Sequence, residues 1–84
     1  MRLSTRSRYG IRLMLDIAQQ GQHGPVALRD VADRQDISLK YLEKLSRRLR
    51  ESGFLMSRLG AKGGYVLGRP AAEITIKELI ESLE

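Results

Sequence analysis

The chain has 84 residues, 42% of them hydrophobic, with a formal net charge of +5 and no cysteine. A chain of this length has room for one thin hydrophobic core, and its apolar runs are much shorter than the roughly 20 residues of a membrane-spanning helix. No disulfide and no thiolate-held metal can form within these residues. We therefore expect one cytoplasmic domain over residues 1–84, with no membrane contact and no signal peptide.

The charge is distributed unevenly along the chain. Residues 1–69 carry 14 of the 15 lysines and arginines against six acidic residues, whereas residues 70–84 carry one lysine against four glutamates. A basic body suits a polyanionic partner, because each phosphate that it neutralises releases condensed counterions. A plain solvated surface explains the charge equally well, so the order of the structural elements has to decide.

The first predicted element is an amphipathic helix over Thr5–Gln20. Tyr9, Leu13 and Ile17 follow one another at the i, i+4 spacing of a buried face. Arg12 lies off this stripe and is expected to pair with Asp16 one turn later.

A short strand and a short helix are predicted next. After a glycine-proline turn, Val26–Leu28 is read as a very short strand and Leu28–Gln35 as a helix that buries Val31. Asp36 follows at a tight turn, since aspartate tolerates the left-handed conformation better than most residues.

The third predicted helix has the strongest local signal. Ser38 suits an N-cap, and Ile37 and Leu42 stand at the positions of a hydrophobic staple. Gly53 supplies the C-terminal stop. The inward stripe is leucine and the opposite side is basic, with Leu42, Leu45 and Leu49 facing away from Lys40, Lys44 and Arg47.

A hairpin and a last helix complete the chain. Phe54–Arg58 and Tyr65–Leu67 are predicted strands, joined by a glycine-rich loop with Lys62 near its tip. Thr75 and Glu78 have the spacing of a capping box for the last helix. The order of helix, short strand, helix, turn, helix and hairpin predicts a mainly α fold with a small β-hairpin, the winged helix-turn-helix.

This fold places the second helix of the helix-turn-helix in the major groove of duplex DNA, where its N-terminal residues meet base edges. Glu43 can accept a hydrogen bond from the cytosine amine, which indicates sequence discrimination. The segment from Ile37 to Arg50 is the predicted recognition element, and its candidate contacts are Ser38, Leu39, Lys40, Tyr41, Glu43, Lys44 and Arg47.

Two further groups of cations are candidates for DNA backbone contacts. In the hairpin, which would serve as the wing, Arg58 and Lys62 are expected to reach phosphates or a minor groove. Near the start of the first helix the candidates are Arg2, Arg6, Arg8 and Arg12, some of which are expected to be only solvated.

No catalytic constellation is found in the sequence. There is no cysteine, and His23 stands alone in a glycine-flanked loop, so neither a nucleophile with its base nor a metal-ligand cluster is predicted. The glycine-rich loop lacks the Lys-Ser or Lys-Thr that ends a nucleotide P-loop. An enzyme is not expected.

Four stretches together resemble the IscR-like regulators, also called the Rrf-two superfamily, namely Met1–Ser4, Arg8–Tyr9, Ile37–Leu45 and Gly60–Tyr65. The resemblance implies a homodimer that binds partly palindromic operators and often carries an iron-sulfur cluster. It also implies major-groove contacts by Ser38, Lys40, Tyr41, Glu43 and Lys44.

The chain departs from the resembling family in two respects. The family usually has arginine directly before the first wing glycine, whereas this chain has Leu59 there and Arg58 one position earlier. The family's dimerisation helix and cysteine cluster lie beyond position 84. We therefore expect a monomer or weak dimer that holds no cofactor within this chain.

Two other partners remain open at the level of sequence. A winged helix can serve as a rigid protein-interaction surface, with the acidic last helix as the docking face. A structured RNA is a weaker alternative, because the major groove of A-form RNA is too narrow to admit a helix.

Overall fold

The computed structural model describes residues 2–61 and 63–84, which form four α-helices and a two-stranded antiparallel hairpin. This is the expected winged helix-turn-helix, mainly α with a small hairpin. The first two helices have the predicted bounds. The elements are α1 (Thr5–Gln20), α2 (Leu28–Gln35), α3 (Leu39–Glu51), β1 (Leu55–Arg58), β2 (Gly64–Leu67) and α4 (Ile76–Leu83), with single turns of 3-10 helix at Gly21–His23 and Ala71–Glu73.

Local hydrogen bonds fix both ends of helix α3. The Ser38 hydroxyl accepts a hydrogen bond from the Tyr41 backbone N–H at 3.1 Å, which satisfies one of the unpaired donors of the first turn. At the other end Gly53 has φ 82°, and the Phe54 N–H donates to the Leu49 carbonyl at 2.9 Å. This is a Schellman closure, which favours glycine because of the left-handed backbone.

The turn between α2 and α3 is built on Asp36, which has φ 54° and ψ 49°. The Ile37 N–H then donates back to the Ala32 carbonyl at 3.2 Å. Ser38 follows directly as the N-cap of α3. The left-handed residue therefore sets the direction in which α3 leaves α2.

The core is one cluster that all four helices and the base of the hairpin share. The inward leucines of α3 are its centre, and Leu42, Leu45 and Leu49 are almost wholly buried. Burying a leucine side chain stabilises a fold by about 1.5–3 kcal/mol, so α3 contributes a large part of the free energy that core burial provides. The other buried apolar residues are Leu13, Met14, Ile17, Val26, Leu28, Val31, Ile37, Phe54, Leu55, Leu79 and Leu83.

The strand predicted at Val26–Leu28 is wrong beyond its first residue. Val26 forms a single bridge with Tyr65, with backbone N–O distances of 2.9 and 2.8 Å. Helix α2 already begins at Leu28, and Ala27 is its extended N-cap residue. Only Val26 can pair with the hairpin, so the predicted strand is reduced to a single β-bridge.

The predicted pairing of Arg12 with Asp16 is also wrong. Asp16 is only 3% exposed and accepts from Arg34 of α2 through both carboxylate oxygens, at 2.7 and 3.0 Å. Gln35 adds a third hydrogen bond to Asp16 at 3.0 Å. Arg12 instead donates to the Gln35 carbonyl and side-chain oxygens and lies over the Tyr9 ring. The guanidinium of Arg34 donates two hydrogen bonds to the buried carboxylate, which explains why Asp16 pairs with Arg34 rather than with Arg12.

The Asp16 contact predicts a pH-dependent stability. The hydrogen bond from Arg34 is the main cause that lowers the pKa of the Asp16 carboxyl below its ordinary value. A lowered pKa contributes stability above the ordinary aspartate pKa of about 3.9, and that contribution is lost as the pH falls through the folded-state value. Asp16→Asn should therefore cost about 1–2 kcal/mol at pH 7, a figure discounted for the half-exposed Arg34.

Urea unfolding at pH 7 and at pH 3 measures this difference. The gap in stability between wild type and Asp16→Asn should shrink at pH 3. A gap of equal size at both pH values would show that the charge of Asp16 does not contribute.

Candidate nucleic-acid interface

The outward face of α3 is exposed over three turns. Positions 40, 43, 44 and 47 have the spacing of one helix face, opposite the buried leucines. The predicted contacts that lie exposed here or at the helix start are Ser38, Leu39, Lys40, Glu43, Lys44 and Arg47.

Tyr41 differs from the other predicted contacts on α3. Its ring is half-buried and stands edge-on against the Tyr9 ring of α1, with centroids 5.8 Å apart. This contact packs the start of α3 against α1. The aromatic edge leaves part of Tyr41 at the surface, beside the exposed cations.

Three cations of α3, Lys40, Lys44 and Arg47, make no ion pair with the residues that the structure describes. Within residues 2–61 and 63–84, the ion pairs join Arg6 to Glu84, Arg34 to Asp16 and Arg69 to Glu78. None of them involves Lys40, Lys44 or Arg47. Among the described residues, no ion pair therefore has to be broken before an external anion can bind these three side chains.

The wing carries one described candidate cation, Arg58, at the end of β1. Arg58 is exposed and is paired in register with Gly64 of β2. The next residue, Leu59, is 97% exposed at the start of the loop. Lys62, the other predicted contact of the wing, lies outside the described residues.

The wing is held against the helix-turn-helix by a close backbone approach at Gly64. A Cβ atom at this position would stand 2.5 Å from the Val26 carbonyl oxygen. The same approach allows Val26 and Tyr65 to exchange their backbone hydrogen bonds. Glycine is therefore required where β2 passes the segment that precedes α2.

The arginines near the start of α1 fall into two groups. Arg2, Arg6 and Arg8 are exposed, and Arg8 makes a long hydrogen bond of 3.4 Å to Thr5. Arg12 is held by Gln35 at the end of α2. Its guanidinium stabilises the carbonyl end of α2, as a cation near a helix C-terminus does.

One cation beside these candidates was missed from the sequence. Arg48 lies one turn after Lys44 on α3 and, together with Arg6 of α1, lines a cleft between the two helices. The i, i+4 spacing from Lys44 is a signal that could have found it. The pairing with Arg6 could not be found, because it depends on how α1 and α3 pack.

The residues of this chain do not fit an iron-sulfur cluster. The clusters are held by cysteine thiolates, with histidine in some cases, and the sequence has no cysteine and one histidine. In the part of the chain that the structure describes, no three histidine, aspartate or glutamate side chains lie together as metal ligands.

The described helices are also too short or too polar to cross a membrane.

The fold and its exposed basic helix define a class of protein, the winged helix-turn-helix. Comparison with known proteins gives the family, because the family model of Rrf2, described as "Iron-dependent Transcriptional regulator", matches residues 3–84. The chain belongs to the Rrf2 family of transcriptional regulators. This confirms the resemblance seen in the sequence.

Curated relatives agree with the family assignment. The chain is 52% identical to "Protein rrf2" of Nitratidesulfovibrio vulgaris over 84 residues, which is 100% of this chain and 56% of that protein. It is 48% identical to the "HTH-type transcriptional regulator IscR" of Photorhabdus laumondii, over 100% of this chain and 51% of that protein. The chain thus spans about half the length of these relatives.

Solved structures agree with the fold. The "Global Cysteine Regulator" CymR of B. subtilis superposes with a TM-score of 0.95 at 39% identity, over 100% of this chain and 65% of that chain. IscR of T. potens gives a TM-score of 0.95 at 42% identity, over 100% of this chain and 61% of that chain. The arrangement of helices and wing is therefore that of the family.

The Gly64 contact makes a prediction about the wing. Gly64→Ala should destabilise the fold by about 1–3 kcal/mol, because the added methyl group meets backbone atoms that cannot move aside independently. Amide hydrogen exchange should show faster exchange at Val26 and Tyr65, whose mutual hydrogen bonds would lengthen. Gly21→Ala is the matched control, since a Cβ there meets nothing within 4 Å. Equal protection in both variants would contradict the anchoring role of Gly64.

Proposed function

We propose that this chain binds duplex DNA in a sequence-specific manner, with α3 in the major groove and the wing beside it. The observation that carries this proposal is the two-sided α3, whose inner face is core and whose outer face presents uncommitted cations around Glu43. The major groove is about 12 Å wide and admits one α-helix. A helix fixed by its own leucines can enter it without rearrangement.

Glu43 is the reason to propose base reading rather than phosphate binding alone. It lies on the same face as Lys40, Lys44 and Arg47, where a carboxylate repels the phosphates that the cations attract. The cytosine amine is a donor in the major groove that a glutamate can accept from. A glutamate at the centre of the basic face therefore supports discrimination between base pairs.

The wing and the start of α1 would contact the DNA backbone on either side of the recognition helix. Arg58 supplies the cation at the end of β1, and Lys62 is proposed for the loop. Arg2 and Arg8 are proposed phosphate contacts at the start of α1. Such contacts set the register of a protein on the duplex without reading its sequence.

The assembled regulator is proposed to bind as a homodimer to a palindromic operator, as the family resemblance implies. Half-sites of a two-fold symmetric regulator are spaced by about one helical turn of DNA, or a multiple of it. The 84-residue chain is proposed to bind one half-site as a monomer or weak dimer. It is also proposed to hold no cofactor itself, since its residues do not supply the ligands.

A second candidate function is supported by an apolar groove between α1, α4 and the hairpin. Leu15 and Ile76 are 53% and 50% exposed at its edge. A protein-interaction module would use such a surface in place of DNA. The residues of the groove are Ile11, Met14, Leu15, Ala18, Leu67, Ala71, Ile74, Ile76 and Leu79.

Selection from a random duplex library at two salt concentrations tests the main proposal. An enriched half-site or palindrome is expected, with affinity that falls steeply as salt rises. Lys44→Ala should weaken binding and lower the salt dependence, whereas Lys77→Ala on α4 removes the same charge and should change neither. Binding that is indifferent to both salt and Lys44 would favour the protein-interaction module.

Glu43→Ala tests base reading by a separate route. This variant should relax the base preference at one position of the selected motif, because each good base contact discriminates by about 1–3 kcal/mol. Its non-specific affinity should not fall, since Glu43 makes no attractive contact with phosphate. Glu81→Ala on α4 is the control. A Glu43→Ala variant that loses affinity equally on every sequence would rule out the discriminating role.

A further inference from the structure

A basic cleft runs between the first turn of α1 and the middle of α3. Its volume is about 400 Å³, and it opens to solvent beside the outward face of α3. Four of its lining residues are cations and one is the half-buried Tyr41. The lining residues are Arg6, Tyr41, Lys44, Leu45, Arg47 and Arg48.

An acidic side chain at the residue after α4 lies beside Arg6, one of the cations that line this cleft. Glu84 accepts hydrogen bonds from the hydroxyls of Ser4 and Ser7 on one carboxylate oxygen. Its other oxygen lies 3.9 Å from Arg6 Nη2. The hydrogen bonds from Ser4 and Ser7, followed by the positive charges of Arg6 and Arg48, hold the pKa of the Glu84 carboxyl below its usual range. The Glu84 carboxylate is therefore stabilised in its charged form beside Arg6 by contacts within the chain.

We propose that the cleft between α1 and α3 seats one phosphate of the duplex backbone, gripped by Arg6 and Arg48, and that Glu84 competes with this phosphate for Arg6. The inference rests on the proposed function and extends it to Arg48 and Glu84. It also gives the α1–α3 packing a role in DNA binding.

The chemistry of the cleft fits a backbone phosphate. Arginine forks bind phosphate oxygens in pairs, and Arg6 and Arg48 approach from two different helices. Lys44 and Arg47 line both the cleft and the outward face of α3. A phosphate in the cleft would thus belong to the strand that borders the groove entered by α3.

The ion pair between Arg6 and Glu84 is weak, and a phosphate can replace Glu84 at Arg6 while Glu84 keeps its hydrogen bonds to Ser4 and Ser7. Arg6 and Glu84 are both exposed, with side-chain exposures of 49% and 42%, and exposed ion pairs contribute little to stability. A phosphate that replaces Glu84 at Arg6 keeps the cation paired and releases counterions from the DNA.

Salt titrations of the 84-residue chain with the selected duplex and a scrambled duplex test the proposal. Arg48→Ala should lower the slope of log affinity against log salt by about 0.9, the value of one phosphate contact. The loss should be equal on both duplexes, and Arg48→Lys should restore most of the slope. Lys77→Ala serves as the control for charge loss away from the cleft, with no change expected.

Glu84→Gln tests the competition in the opposite direction. The amide keeps an oxygen for Ser4 and Ser7 but removes the charge, so affinity should rise severalfold on both duplexes and the slope should steepen. Adding Arg6→Ala to this variant should abolish the gain. Thermal unfolding of each variant identifies a temperature at which all of them are folded. Binding is measured at that temperature, so that a loss of stability is not mistaken for a loss of contact.

Each outcome separates this inference from the proposed function. If Arg48→Ala behaves as Lys77→Ala while Lys44→Ala still weakens binding, the phosphate seat is wrong and the proposed function stands. If Glu84→Gln fails to raise affinity in the folded protein, the competition is wrong. If the wild-type chain binds no duplex at any salt, the proposed function itself fails.

Discussion

The hydrogen bonds between α1 and the last turn of α2 are the constraint on which the rest of the structure depends. Asp16 holds Arg34 and Gln35 with three hydrogen bonds, and Arg12 caps the Gln35 carbonyl from the same side. The next residue is Asp36, whose left-handed backbone turns the chain into α3. Because the turn is so short, any rotation of α2 against α1 would be passed directly to the outward face of α3.

Helix α3 couples stability to the proposed interface. Its leucines form the centre of the core, so the helix cannot rotate to aim a different set of side chains without exposing them. The cations and Glu43 are therefore presented in a fixed order along one face. A preorganised surface of this kind loses little conformational entropy on binding, which favours affinity for a single half-site.

The wing and the acidic end of the chain are tied to this frame through the backbone and through charge. Val26 and Tyr65 join the hairpin to the segment before α2, at the point where Gly64 lets the backbones meet. Glu84 joins the end of α4 to the first turn of α1 through Ser4 and Ser7. The fold thus brings the acidic end of the sequence close to its basic start, where Glu84 pairs with Arg6 of the cleft.

The sequence by itself determined the helices, the caps of α3 and α4, the hairpin and the outward basic face of α3, because caps and periodicity depend on residues within a few positions of one another. It also carried the resemblance to the family. The tertiary structure alone decided the partner of Asp16, which lies 18 residues away, and the contact of Ser4 with Glu84, 80 residues away. Local spacing offered Arg12 as a plausible partner for Asp16, but burial of the carboxylate between two helices selected Arg34, since only packing determines which side chain reaches a buried charge.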